Sequence, residues 1–277
     1  MESALHVKSM IIFLLIIICS AVLSDHLLPV GNAKALKVSD NYSRGCDSSS
    51  TNDNSVAYHG LNQTLSIRGV VNLSDSSIDL KPSVVLPSSI LTTRPAYSHF
   101  VIDLLDAKGR VLAHQPIDII VSMAKVEEWK NIAYISETVP YNPCTTKIAI
   151  YKDNKELVSL VVSPNAPEIK SINVRDSNGN PQFIFPRTSN ISVEWKAQDL
   201  DKDDNLTYLL LYSNNRGQTW PITIADGIKE NSLTLNANSL PGNSANLSQF
   251  RVIATDGVNT GVRDSNPFSI PILNMRH

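Results

Sequence analysis

"NISVEWKAQDLDKDDNLTYLLLYS", residues 190 to 213, decides the fold. Ile191, Val193, Trp195 and Ala197 alternate with polar residues, which is the period of a strand with one buried face. Past an acidic loop, Leu206 and Tyr208 open a second apolar run that ends at Ser213. Working outward, "TWPITIAD", "NSLTLNANSL", "SQFRVIATDG" and "NPFSIPIL" follow as further short strands. Their spacing of about 10 to 15 residues, with turn residues between them, predicts an antiparallel sandwich over 168–277.

Upstream the pattern repeats with different details. In "LNQTLSIRGVVNL", Leu65 and Ile67 and then, after a break, Val71 and Leu73 alternate with polar positions. "SHFVIDLLDAKGRVLAHQPIDII" reads as a hairpin whose turn uses Gly109 for positive φ. "TKIAIYKDNKELVSLVVS" reads as a second hairpin, turning at Asp153-Asn154. "SMAKVEEWKNIAY" is the one stretch that offers a short helix, without a clear cap. These elements form a first sandwich over 58–163. "SPNAPEI" then supplies a stiff link at 164–167, because Pro164 and Pro167 restrict themselves and the residues before them.

The 277 residues suit two domains, and 42% hydrophobic content is enough to fill two cores. A net charge of −2 excludes a nucleic-acid partner, since no basic block can neutralise a run of phosphates. Lys8 precedes an apolar run from Met10 to Leu23, shorter than the roughly 20 residues that cross a bilayer as a helix. The pattern predicts a signal peptide within 1–35, cleaved after residue 24 or 35, and a secreted or cell-surface protein. An uncleaved anchor is the alternative, and the only route to a membrane. Cys19 is a poor lipidation site because bulky Ile18 precedes it. Residues 36–57, rich in Ser, Asn and Asp, read as a disordered tether.

Removal of the signal leaves Cys46 and Cys144, an even count that invites a disulfide in a secreted chain. The bridge would close a loop of about a hundred residues and contribute at most ~4.7 kcal/mol. The polar surroundings of Cys46 argue against it. No CxxC or Cys/His cluster indicates zinc.

Trp195, Tyr208 and Tyr212, with "SLPGNSANLSQFRVIATDGVNT", resemble a fibronectin type III or related immunoglobulin-like module. "VEWKAQDLDKDDNLTYLLLYSNNRGQTW" together with "FRVIATDGVNT" is similar to sandwich modules at the C-terminal ends of large secreted bacterial and archaeal proteins, some of them peptidase-like. "FVIDLLDAKGRVL" and "SPNAPEI" resemble the module that often precedes that one. The resemblance spans roughly residues 60 to 272. It implies an all-β fold of two immunoglobulin/fibronectin III-like β-sandwich domains in tandem, and a loop that is often acidic in related modules. It implies no activity, because such modules usually accompany a separate catalytic domain.

Asp199, Asp201, Asp203 and Asp204 crowd one loop. An EF-hand would need Gly and Glu where Asp204 and Leu210 stand. A looser calcium site of carboxylates and carbonyls stays open beside the simpler reading, a splayed and hydrated turn. No other cofactor is indicated. The six histidines occur singly, and neither HExxH, GxSxG nor a Gly-rich phosphate loop is present. His99 and His114 flank the first hairpin and read as a cross-strand polar pair on a sheet surface. Trp195 belongs to the core, whereas Trp220, expected to be partly exposed, and Trp129 are the candidate ligand contacts. Asn41, Asn62, Asn72, Asn190, Asn205 and Asn246 begin N-x-S/T sequons, and a glycan on Asn205 would compete with calcium for space. The expected function is a non-enzymatic, exported binding or spacer protein with a protein or glycan partner at the cell surface. A carbohydrate-binding accessory protein and a non-catalytic remnant or partner of a secreted peptidase are the alternatives.

Overall fold

A computed structural model describes residues 63–87, 98–121, 131–201, 205–243 and 246–272. The described residues are all-β, with antiparallel sheets and one 3-10 turn at Ala237–Ser239. Among them, no helix is long and apolar enough to cross a membrane. The chain divides into two compact units. The first holds the described residues up to Pro164 together with 257–259, and the second holds the others from Asn165 onward.

In the first unit, β1 (Gln63–Asn72), β2 (Ile78–Pro87), β5 (Ile120–Val121) and β6 (Ile132–Pro140) form a sheet in the order β2-β1-β6-β5. The strands β3 (Phe100–Leu105), β4 (Val111–Ile117), β7 (Lys147–Lys152) and β8 (Lys155–Val161) form another in the order β4-β3-β7-β8. Leu65, Ile67 and Val71 of β1, Ile102 and Leu104 of β3, and Ile148 and Ile150 of β7 are buried in one core cluster. The apparent break in the β1 pattern is Gly69, which keeps the inward parity but is left bare. A Cβ there would press on the Asp79 carbonyl and Leu80 of β2, each at 3.0 Å.

Turn chemistry accounts for both hairpins. Between β3 and β4, the buried Asp106 carboxylate accepts the N–H groups of Lys108 (2.9 Å) and Arg110 (2.8 Å) and the Arg110 Nε (2.6 Å). Gly109 takes φ +75°. Burial opposes ionisation, but the Arg110 and Lys108 donors outweigh it and hold the Asp106 carboxyl below its ordinary value. Between β7 and β8, Asp153 and Asn154 both have positive φ, 48° and 66°, as a type I′ turn requires. The stretch offered as a helix differs. Its residues 122–130 lie outside the described set, and from Ile132 it is β6, because Ala133, Ile135 and Val139 turn inward at strand period.

The second unit pairs β9 (Glu168–Asp176), β10 (Asn190–Gln198) and β13 (Ser232–Asn236) in the order β13-β10-β9. β11 (Thr207–Ser213), β12 (Ile222–Ile228), β14 (Gln249–Thr255) and β15 (Thr260–Asp264) pair in the order β12-β11-β14-β15. Ile191, Val193 and Trp195 face Tyr208, Leu210, Tyr212, Phe250 and Val252 in a single core cluster. Leu209 and Leu211, on the opposite face of β11, are also buried, so the run "YLLLY" belongs to a strand shielded on both sides. Among the described residues, "NPFSIPIL" makes isolated bridges, Ser248 with Phe268 and Ile184 with Ser269, and no ladder. Among the described residues the last ladder strand is β15 instead, which passes close to the segment leading into β9. A Cβ on Gly261 would overlap the Pro167 carbonyl. Gly261→Ala is therefore expected to destabilise the second unit by about 1–3 kcal/mol, read from urea unfolding, because backbone cannot rotate away as a side chain can.

Candidate functional site

The acidic loop begins where β10 leaves the core. Asp199 Oδ1 accepts the N–H of Asp201 at 2.9 Å, the local bond that makes Asp a turn residue. Asp201 does more. Its Oδ2 accepts the Asn165 backbone N–H at 2.8 Å and its Oδ1 accepts the Asn165 side-chain amide at 2.7 Å. One carboxylate thus grips both donors of the residue that opens the second unit. In the described part of the loop, Asn165 supplies two N–H donors to the Asp201 carboxylate.

Asp199 carries the electrostatic cost. Its Oδ2 is buried with no hydrogen-bond partner. Burial raises its carboxyl above the ordinary value, and the charges of Asp256 and Asp201 add to that rise against the bond from the Asp201 backbone. The group is a carboxylate of raised proton affinity with one uncommitted oxygen. Among the described residues, no group of three or more His, Cys, Asp or Glu side chains is placed to hold a metal ion. Asp203 and Asp204 of the calcium reading lie outside them.

The two histidines that flank the first hairpin do not pair with each other. His114 on β4 bonds Asp103 of β3 through Nδ1 at 2.7 Å. His99 bonds Asp153 of the β7–β8 turn at 2.6 Å. Each makes the kind of cross-strand polar contact that stabilises a sheet surface. Both side chains are largely exposed.

Trp220 is only 4% exposed, not the partly exposed side chain expected. The Arg251 guanidinium lies 4.2 Å from the centroid of its ring and is itself held by two bonds to Asp264, at 2.6 and 2.9 Å. This cation–π stack packs Trp220 against its own sheet. Trp129 lies outside the described residues.

Cys144 is disulfide-bonded. Its N–H is capped by Asn142 Oδ1 at 2.9 Å in the turn between β6 and β7. The other two cysteines, Cys19 and Cys46, lie outside the described residues. Of the sequons, Asn190, Asn205 and Asn246 are exposed and Asn72 is half-buried, while Asn41 and Asn62 lie outside the described set.

Sequence reasoning missed the Asp201–Asn165 clasp and the Arg251–Trp220–Asp264 stack. Neither leaves a signal in local spacing, though the paired prolines around Asn165 do mark that segment as stiff. No protein-family model matches the chain, and no curated protein is significantly similar to it.

Proposed function

We propose that the chain is an exported, non-enzymatic binding or spacer protein built from two immunoglobulin- or fibronectin III-like sandwich modules. The observation that carries this reading is the disulfide at Cys144. Disulfides persist in oxidising compartments and are rare where glutathione and thioredoxin keep thiols reduced. The apolar run Met10 to Leu23 supports the same direction. The module type is supported by the second unit's seven strands in sheets of three and four.

Trp220, one of the two tryptophans offered as ring contacts for a glycan, is buried under Arg251, which favours a protein partner over sugar stacking at that residue. Among the described residues β8 pairs with β7 on one side only, and strand addition on its other side is the mode of protein binding that such an edge allows. Cys46 is the expected partner of Cys144 once the signal is removed.

The test is mass spectrometry of protein recovered from the native cell surface or medium. Peptides starting after residue 24 or 35, with Cys46 and Cys144 joined in one non-reduced peptide, are the expected result. Intact Met1-to-Ser24 peptides would favour the anchor. Quantitative alkylation of Cys144 without reductant would overturn export.

A further inference from the structure

Asn246 stands one residue away from an apolar patch that has no cover among the described residues. Phe183 is 70% exposed and its neighbour Ile184 is 58% exposed, in the segment between β9 and β10. Ser269 ties this segment to Asn246. It bridges Ile184, its N–H donates to the Phe183 carbonyl at 2.8 Å, and its hydroxyl donates to Asn246 Oδ1 at 2.8 Å. The Asn246 N–H returns a bond to the same hydroxyl at 2.6 Å. Asn246 is exposed at φ +40°, and its amide oxygen is held inward by Ser269. Its Nδ2 makes no hydrogen bond among the described residues, and the residue is exposed.

We infer that Asn246 carries an N-linked glycan whose first sugars cover Phe183 and Ile184. Such rings present C–H faces that pack on aromatic and aliphatic side chains, and exposed neighbouring apolar residues gain by losing water. The chemistry is transfer from a phosphate- or pyrophosphate-activated oligosaccharide. The Nδ2–C1 bond forms, the bond from C1 to the phosphate oxygen breaks, the phosphate leaves with the electron pair, and Nδ2 loses one proton.

The order of events follows from the third sequon residue. Ser248 is fully buried and its hydroxyl bonds Tyr212 and Asn243, so no transferase can reach it in the folded unit. Transfer therefore precedes closure of this corner, during export. The inference rests on the exported reading.

The experiment maps glycopeptides of the exported native protein and, in the same digest, the redox state of Cys144. A glycan mass on the peptide containing Asn246 is expected, and it is lost in Asn246→Asp, which keeps the Oδ1 acceptor and tolerates positive φ. Folded Asn246→Asp protein should then show increased binding of an apolar fluorescent dye, an increase abolished by adding Phe183→Ser and Ile184→Ser. An unmodified Asn246 peptide beside an oxidised Cys144 would overturn the glycan and leave export standing. An unmodified peptide beside a free Cys144 thiol would overturn both. A glycan whose removal leaves dye binding unchanged would overturn the covering role.

Discussion

Trp195→Ala is expected to cost the second unit about 3–5 kcal/mol, the range for deleting a buried aromatic side chain. Trp195 is 3% exposed and meets Tyr208 edge-on, ring centroids 5.3 Å apart, at the centre of the cluster that joins the two sheets of that unit. Single domains have only about 5–15 kcal/mol of stability, so the loss removes much of the margin. Trp195→Phe should cost far less. It keeps a ring beside Tyr208, and it removes the indole N–H, which is buried without a hydrogen-bond partner. Urea unfolding of the full chain checks both substitutions. Equal losses for the two variants would mean that the indole's outer ring, rather than the aromatic contact, fills the core.

Asp201→Ala and Asp199→Asn should move stability in opposite directions. Losing the Asp201 carboxylate removes two hydrogen bonds to Asn165, its backbone N–H and its side-chain amide, a cost of about 1–3 kcal/mol. Asp199 is the reverse case, because burial and the charges of Asp256 and Asp201 raise its folded-state carboxyl above the unfolded one. A raised carboxyl destabilises the fold at pH values above its folded pKa, and that penalty fades as pH falls and the group takes up its proton. Asp199→Asn should therefore raise the melting temperature at pH 7, with the gain shrinking toward the acid side. Its amide oxygen can still accept the Asp201 N–H. A gain that is independent of pH would show that packing, not charge, is responsible. The same melts with calcium and with chelator test the remaining metal reading, since a ligand that binds only the folded state raises the melting temperature. A calcium-dependent rise in the native protein that disappears in Asp201→Asn, Asp203→Asn would establish a calcium site in this loop.

Several elements resist reading from sequence for a common reason. β9, "EIKSINVRD", and β15, "TGVRD", bury few side chains and so show little apolar alternation. They are strands because β10 and β14 offer them ladder partners. "NPFSIPIL" errs in the opposite direction. It buries Phe268 and Ile270, yet its prolines withhold ladder donors and leave it isolated bridges.

The sequence alone determined the all-β class, the inward faces of β1 and β10, and the turns at Gly109 and Asp153-Asn154. Each rests on neighbours along the chain: alternation of period two, or backbone dihedrals that few residues tolerate. Tertiary structure alone decided that Asp201 holds Asn165, that His114 and His99 bond separate aspartates, and that Trp220 lies beneath Arg251. Those contacts join residues far apart in the chain. A hydrogen bond or a cation over a ring depends on distances of a few ångströms, which the packing of the strands sets and the order of the residues does not.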